Sequence, residues 1–503
     1  MARIIASVFA TSREQVRRMA SKAAMAGADW LELRLDRWTA AQDLAGAIAS
    51  CRLPVLVACR TPEAGGSFRG TLGERRELLN HALEAGAVGI DLEGDEAWSP
   101  PSGRTRLKLR IRSFHSFTGV PKELAAIRDA LHAQPGTVAK IVVTAHDIAD
   151  AAPVFELLAN TDQRSMPTIA FAMGRTSGPL RVLSAVLGSP YVYGCIEPGE
   201  ETAAGQLPVA MLAGLYRVQS LGPQTALFGL LGNPALQSLG PWLHNRAFRR
   251  LAIDAVYLPF ETSRPEAVLA MLPKRLLRGL SVTAPWKGTM ASVCHRLGDD
   301  AVATGVVNTV IAEAHGLLAG HNTDVAGVRA ALAGAGVRAG TGRAVVLGTG
   351  GAARAGAIAL QQLGFQVAML GRSLDGVREF GRVHGVQLGS LSERVLTELA
   401  PEVLVQATPV GSLDREPGER LLPGYRPPAG TVVLDMVYQP RWTRLLLDAA
   451  AAGCRVVPGV EMFLGQAQAQ VRWFTGTELP IAVLRTLLAG TAAGAGDPPM
   501  LPS

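Results

Sequence analysis

Cysteine is scarce: the 503-residue chain has five, at Cys51, Cys59, Cys195, Cys294 and Cys454. They form no CxxC pair and no Cys/His cluster at metal-ligand spacing, which argues against a disulfide framework and against a structural zinc site. Buried small hydrophobes are the expected role, and no metal is expected anywhere. Aromatic residues make up only 5% of the chain, and none interleaves with a run of Lys or Arg. The net charge of +7 is therefore dispersed, and suits small anionic substrates better than nucleic acid. No uninterrupted apolar run approaches the roughly 18 residues of a membrane span. The apolar stretch 4–9 behind Met1-Ala2-Arg3 is too short for a secretory core and has no transit-like segment before it. A cytoplasmic location without membrane partners is the expectation. What the chain has in quantity is apolar surface, 48% of residues against 18% charged, and its length suggests roughly two to four domains.

The expected fold class is α/β. Apolar or β-branched runs at 4–9, 30–36, 54–60, 88–93, 107–115, 138–144, 168–173 and 191–196 alternate with helical stretches rich in Ala, Leu and Arg. Eight strands alternating with helices over about 200 residues match a (β/α)8 barrel, whose active site lies at the C-terminal strand ends. This barrel is expected over 1–220, closed by a helix over 207–219, with Gly222-Pro223 in the linker. A second α/β unit follows over 226–325. The run 344–347 leads into Gly348-Thr349-Gly350-Gly351-Ala352-Ala353 and a helix, which opens a Rossmann-type domain over 326–458. Helices at 459–490 are expected to pack back on the substrate domain, and the Gly/Pro-rich tail 491–503 to be disordered.

In the first half, Lys140 sits inside the apolar run Val138-Ala139-Lys140-Ile141-Val142-Val143. Burying an ammonium is costly, and the usual relief is a lowered pKa, which would make Lys140 an imine-forming nucleophile. The alternative is a strand-end lysine whose amine reaches solvent. Glu32 and Arg34 are two apart between Leu31, Leu33 and Leu35, so both face the barrel interior, where they could also pair simply as structure. Arg60 ends the third strand and His115 the fifth. A lone histidine is more often structural, but Lys, His and several Arg at one rim point to a site.

These residues resemble the type I 3-dehydroquinate dehydratases over about residues 3–218. The motifs are Glu32-Leu33-Arg34-Leu35-Asp36, Arg60-Thr61 with Gly65-Gly66, Ser113-x-His115-x-Phe117, the Lys140 strand, Met173-Gly174 leading to Arg181, and Thr202-Ala203-Ala204-Gly205-Gln206. The resemblance implies that Lys140 forms the imine and that His115 moves the proton. It implies Arg181 on the substrate carboxylate, Glu32, Arg34 and Arg60 on ring hydroxyls, and Thr202 with Gln206 on a closing loop. Two positions depart from the pattern. Ala64 replaces a usual Glu, with Glu63 one place early, and Ser116 replaces a usual Asp or Asn after the histidine. An acid that orients His115 is then expected from Glu63 or Asp91.

In the second half, the glycine turn puts backbone N–H groups and a helix N-terminus where a pyrophosphate can approach. The next strand ends in Gly371-Arg372-Ser373 and not in an acid, so Arg372 is expected on the 2′-phosphate of NADP, although a surface arginine would read the same way. Lys287 and Asp324 could relay the proton that accompanies hydride transfer. As a bare pair they would equally be a salt bridge.

Residues 226–487 resemble shikimate dehydrogenases through seven ordered motifs. These are Gly232-Asn233-Pro234-x-x-Gln237-Ser238-Leu239-Gly240-Pro241-x-x-His244-Asn245, Ser281-x-Thr283-x-Pro285-x-Lys287, Gly305-x-x-Asn308-Thr309, Asn322-Thr323-Asp324, Ala407-Thr408-Pro409-Val410-Gly411, Asp435-x-Val437-Tyr438-x-Pro440 and Gly459-x-x-Met462-x-x-x-Gln466. The resemblance implies Lys287 and Asp324 as the catalytic pair and Asn308 with Gln466 on ring hydroxyls. Ser238, Thr283 and Tyr438 would surround the carboxylate, and Gly348, Gly350, Gly351, Ala352, Arg372, Thr408 and Met462 would line the cofactor. Gln237 stands for a usual His, and Gly240 for a frequent second serine, which opens the question of quinate as a substrate. Together the halves imply one chain that converts 3-dehydroquinate to 3-dehydroshikimate and then, with NADPH, to shikimate. The competing reading is a quinate/shikimate dehydrogenase whose barrel is a scaffold. Oligomeric state is left open.

Overall fold

Nine strands of the N-terminal part form one parallel sheet in the computed structural model, which describes all residues except 39–42, 95–97, 99–106, 135, 414–416 and 490–503. They are β1 (Arg3–Phe9), β2 (Trp30–Arg34), β3 (Val55–Ala58), β4 (Gly89–Glu93), β5 (Leu109–His115), β6 (Val138–Thr144), β7 (Thr168–Met173), β8 (Tyr191–Cys195) and β9 (Leu207–Pro208). Their order is β7-β6-β5-β4-β3-β2-β1-β8-β9. Consecutive neighbours with β8 returning beside β1 is the cyclic order of a (β/α)8 barrel. Among the described residues no ladder joins β7 to β8, but Phe171 and Tyr193 bridge that seam with ring centroids 6.3 Å apart. Side chains from alternate strand positions, among them Ile5, Leu56, Ile111, Val138, Ile169 and Phe171, fill the interior. Leu31, Leu33 and Leu35 are fully buried on the other face of their strand, which turns Glu32 and Arg34 inward as the period of two requires.

The single helix expected over 207–219 is not formed. Leu207–Pro208 pairs beside β8, a π-helical turn spans Met211–Leu215 and a 3-10 turn Val218–Ser220. Pro208 has no N–H to give a helix, and Arg217 at φ 52° leaves the right-handed region, so the helical path is interrupted twice.

The chain divides by internal contacts into two units. One is Met1–Leu227 with Pro234–Leu236 and Ala252–Leu277; the other is Phe228–Asn233, Gln237–Leu251 and Arg278–Ser503. The first unit therefore takes β11 (Ala255–Glu261) in addition to the barrel. In the second, β10 (Ala226–Gly232), β12 (Leu277–Val282), β14 (Thr309–Ala312), β15 (Leu318–His321) and β13 (Arg296–Leu297) lie side by side in that order. A separate parallel sheet contains β16 (Arg343–Leu347), β17 (Gln366–Gly371), β18 (Gln387–Ser390), β19 (Val403–Gln406), β20 (Val432–Asp435) and β21 (Arg455–Val457). Its order, β18-β17-β16-β19-β20-β21, is that of a Rossmann sheet, with the switch point between β16 and β19. Among the described residues no helix is long and apolar enough to cross a membrane. The tail 491–503 lies outside the described residues.

Candidate active sites

The barrel encloses a cavity of about 320 Å3 at the C-terminal strand ends, and Glu32, Arg34, Arg60, His115, Lys140, Arg181, Thr202 and Gln206 all line it. Lys140 is 4% exposed, and its Nζ lies 2.9 Å from Asp91 Oδ2 and 3.8 Å from Glu32 Oε1. The buried amine thus has a carboxylate partner. Asp91 also takes Arg60 Nη2 at 2.7 Å and Ser113 Oγ at 2.7 Å. Burial works to raise the Asp91 carboxyl pKa, but Lys140 and Arg60 outweigh it and hold the group well below the usual carboxylate range.

Arg60 is the hub of this cluster. Besides Asp91 it bonds Glu93, and its Nη1 lies 3.0 Å from His115 Nδ1. Glu93 Oε2 stands 3.5 Å from the same nitrogen. Burial, followed by the charges of Arg60 and Lys140, lowers the His115 pKa well below its ordinary value, so the ring is neutral. Arg60 can only donate, so Nδ1 accepts from it here and the ring proton is left on Nε2; a base at Nε2 requires the other tautomer, with Nδ1–H turned to Glu93. The acid expected to orient His115 is accordingly neither Glu63, which is exposed, nor Asp91, whose oxygens are taken by Lys140, Arg60 and Ser113. Glu93, two residues along β4, is the one within reach. Ser116 contributes only backbone here, its carbonyl accepting from Thr144 Oγ1 at 2.9 Å.

Arg34 does not pair with Glu32. It forms two bonds to Asp36, at 3.1 and 2.5 Å, while Glu32 accepts from Ser7 Oγ at 2.5 Å. Arg181 donates to the carbonyls of Gly205 and Ala204 at 3.1 and 3.2 Å, which ties it to the Thr202–Gln206 loop. Its third nitrogen, Nη1, is buried without a hydrogen-bond partner, as is Glu32 Oε1. On the loop, Thr202 N–H donates to Gln206 Oε1 at 2.9 Å and its Oγ1 to Ser7 at 2.8 Å.

The second unit brings Lys287, Asp324 and Asn308 together. Lys287 Nζ lies 2.5 Å from Asp324 Oδ2, and Asn308 Nδ2 donates to Asp324 Oδ1 at 2.8 Å. Asn308 is held in turn by Thr309 Oγ1 and the Thr323 N–H, both donating to its Oδ1 at 2.8 and 2.7 Å. Behind it Gln470 donates to Thr309 Oγ1 at 2.9 Å and accepts from Ser281 Oγ at 3.0 Å. Gln470 also bonds His244, whose imidazole burial pushes down to about 4.

Gln466 lies one turn before Gln470 on the helix Gly459–Thr475. That helix passes so close to the helix Asp324–Gly334 that a Cβ on Gly327 would stand 2.7 Å from Met462 O and 2.9 Å from Gln466 Cβ. Gln466 is thereby placed beside the first turn that carries Asp324. Ser238 Oγ accepts from the Gly240 N–H at 3.0 Å, Tyr438 lies tilted against Phe463 with ring centroids 5.4 Å apart, and Thr283 follows β12 four residues before Lys287.

The dinucleotide loop leaves the switch point. Gly348 has φ +120°, and a side chain there would press on Ala407 and Thr408 of the neighbouring strand end at 3.3 Å. The helix Gly351–Gln362 begins after Gly350 with no side-chain cap, which leaves its first N–H groups free for an anion. Gly351 would carry a Cβ 3.5 Å from Lys287 Cδ, so the loop and the catalytic cluster adjoin. Arg372 is exposed directly after β17, as an arginine reaching a 2′-phosphate needs to be. The residues fit NADP.

A family model for type I 3-dehydroquinase matches residues 4–223, and one for the shikimate dehydrogenase substrate binding domain matches 230–310. A bifunctional 3-dehydroquinate dehydratase/shikimate dehydrogenase of Arabidopsis thaliana, described as chloroplastic, is 30% identical over 508 residues, covering 95% of this chain and 82% of that protein. The chain belongs to the bifunctional 3-dehydroquinate dehydratase/shikimate dehydrogenase family. A shikimate dehydrogenase (NADP(+)) of Anaeromyxobacter dehalogenans is 39% identical over 269 residues, 52% of this chain and 94% of that protein. The solved dehydroquinate dehydratase and shikimate dehydrogenase of S. pombe is 24% identical, covers 97% of this chain and 98% of its own, and has a TM-score of 0.43. Both activities of the bifunctional family, a Schiff-base dehydratase and an NADP-dependent dehydrogenase, accordingly reside in this one chain.

Proposed function

We propose that the barrel cavity dehydrates 3-dehydroquinate on Lys140 and that the Lys287–Asp324 cluster reduces the product to shikimate. The observation that carries this is the convergence of Lys140, His115 and Arg181 on a single cavity in which Arg181 Nη1 and Glu32 Oε1 lack hydrogen-bond partners. Lys140 Nζ bonds to the substrate ketone carbon, the carbonyl oxygen leaves as water, and the resulting imine accepts electron density when His115 Nε2 removes the adjacent C–H proton. Glu93 holds the histidine from its other nitrogen. His115 then returns a proton to the departing hydroxyl. Arg181 binds the substrate carboxylate with Nη1 while its other nitrogens stay on the loop, and Glu32 Oε1 takes a ring hydroxyl. Arg34, Arg60, Thr202 and Gln206 complete the wall.

In the dehydrogenase, Lys287 gives a proton to the ketone oxygen and Asp324 holds that lysine in place; Asn308 fixes Asp324. NADPH, when bound, supplies the hydride. The uncapped helix start at Gly351 holds the pyrophosphate, Arg372 the 2′-phosphate, and Gly348, Gly350, Ala352, Thr408 and Met462 the rest of the cofactor. Ser238, Thr283 and Tyr438 take the substrate carboxylate and Gln466 a ring hydroxyl. Domain limits of 1–220, 226–325 with 459–490, and 326–458 go with this reading, as does a cytoplasmic location for a chain of five free thiols.

A coupled assay tests the whole. With 3-dehydroquinate and NADPH, absorbance at the cofactor wavelength falls only if both sites work. Consumption from 3-dehydroshikimate but not from 3-dehydroquinate rejects the dehydratase half. Gly240 favours a second activity, oxidation of quinate with NADP, and a chain inert to quinate removes it.

A further inference from the structure

The floor of the barrel cavity is the ring of Tyr193, over which Lys140 Nζ stands 3.9 Å from the centroid. Tyr193 is 2% exposed, and its ring is packed against Phe171 across the β7/β8 seam. The hydroxyl is buried and has no hydrogen-bond partner. Such a group is destabilising, and phenylalanine would give the same packing without that cost. Three polar atoms of the cavity share this state, Glu32 Oε1, Arg181 Nη1 and Tyr193 Oη. Their chemistries differ: an anionic acceptor, a cationic donor and a neutral hydroxyl set beside the nucleophilic amine. The first suits a hydroxyl and the second a carboxylate. The third belongs to the ring on which Nζ stands, so a hydroxyl donor adjoins the carbon that Nζ attacks. Burial, then the charges of Glu32 and Asp91, raise the phenol pKa well above its ordinary value, so the group stays an O–H donor at neutral pH.

We propose that Tyr193 is a further catalytic residue of the dehydratase, whose hydroxyl donates a hydrogen bond to the ketone oxygen of the substrate while Lys140 adds to the carbonyl carbon. In that step the N–C bond forms, the C=O π pair moves onto oxygen, and the phenol O–H stabilises the charge that develops there. The proton lost by nitrogen then passes to that oxygen, giving a neutral carbinolamine with no other reactant. The inference rests on Lys140 as the imine-forming amine.

The test is quenched-flow borohydride trapping on the full chain, with the fraction of protein carrying a reduced adduct on Lys140 followed by mass. Tyr193→Phe keeps the ring and removes the hydroxyl. Loss of one such donor is worth about 10²–10³ in rate, so adduct formation should slow by about 100-fold and reach the parent's final extent, with a thermal transition no lower than the parent's. A rate within about twofold of the parent overturns the proposal. Should the variant fold poorly, 3-fluorotyrosine at 193 keeps ring and hydroxyl while lowering the phenol pKa. It should move the alkaline limb of adduct formation to lower pH, and an unmoved limb overturns the proposal. Absence of any adduct in the parent chain would instead reject Lys140 as the imine-forming amine.

Discussion

Asp91 is the carboxylate on which the dehydratase site balances, and Asp91→Asn tests how. The substitution preserves shape and leaves an acceptor for Ser113, but it removes the negative charge 2.9 Å from Lys140 Nζ and 2.7 Å from Arg60 Nη2. All three side chains are nearly inaccessible, at 0, 6 and 5%. Removing one partner of a buried ion pair costs about 3–5 kcal/mol, because the other charge is left uncompensated. Arg60 retains Glu93, and Lys140 retains Glu32 at 3.8 Å, so the lower end applies, about 3 kcal/mol. For a unit of this size that lowers the melting temperature by roughly 6–12 °C. The assay is a thermal scan that follows loss of dehydratase activity, since a chain with two units need not melt in one transition. A melting shift under about 1 °C would refute the view that Asp91 compensates the two cations.

The folded His115 pKa lies below the ordinary value, so acid protonates the unfolded chain first and stability contributed by the neutral ring is lost as pH falls through about 6.5 and lower. For the same reason dehydratase kcat/KM should hold level from pH 8 down to about 6.5 and fall only below it; a midpoint at or above 6.5 contradicts the assignment. Arg372→Asp should raise KM for NADPH by about 10- to 100-fold, the worth of a charged hydrogen bond of about 1.5–3 kcal/mol, and improve use of NADH. Lys287→Ala should reduce dehydrogenase turnover by orders of magnitude with little change in cofactor affinity, and near-parent turnover would remove its proton-relay role. Gln470→Ala leaves Ser281 and Thr309 short of partners, at about 1–3 kcal/mol, and should lower dehydrogenase activity while sparing dehydration measured on the same sample.

Legibility in the sequence followed chemistry that is rare in its local setting. A lysine inside Val138–Thr144, or an arginine where an acid would serve NAD, stands out because apolar strands and nucleotide folds leave few uses for it. Strand positions were legible for the complementary reason, since a parallel strand buried on both faces reads as a continuous apolar run. The helix over 207–219 was misjudged because its Leu and Ala content outweighed Pro208 and the left-handed Arg217. Partner choice was the least legible. Arg34 goes to Asp36 and not Glu32, and His115 meets Arg60 with Glu93 standing by at 3.5 Å, because ion pairs across a barrel depend on strand stagger and side-chain length. Glu93 could have been found: Asp91 and Glu93 are two apart at a strand end, the same spacing that singled out Glu32 and Arg34. Gln470 likewise follows Gln466 by one helical turn. The Tyr193 hydroxyl had no such signal, since an aromatic residue in a strand reads as packing.

The bond between Gln470 and Thr309 joins residues 161 apart in the chain. An entire nucleotide-binding sheet is inserted between them, so the floor under Asn308 and Asp324 is completed only after that sheet has been made. A ribosome releasing this chain exposes Asp324 long before Gln470 emerges. Anyone cutting the chain into parts should expect a fragment ending before the helix Gly459–Thr475 to lose the dehydrogenase site.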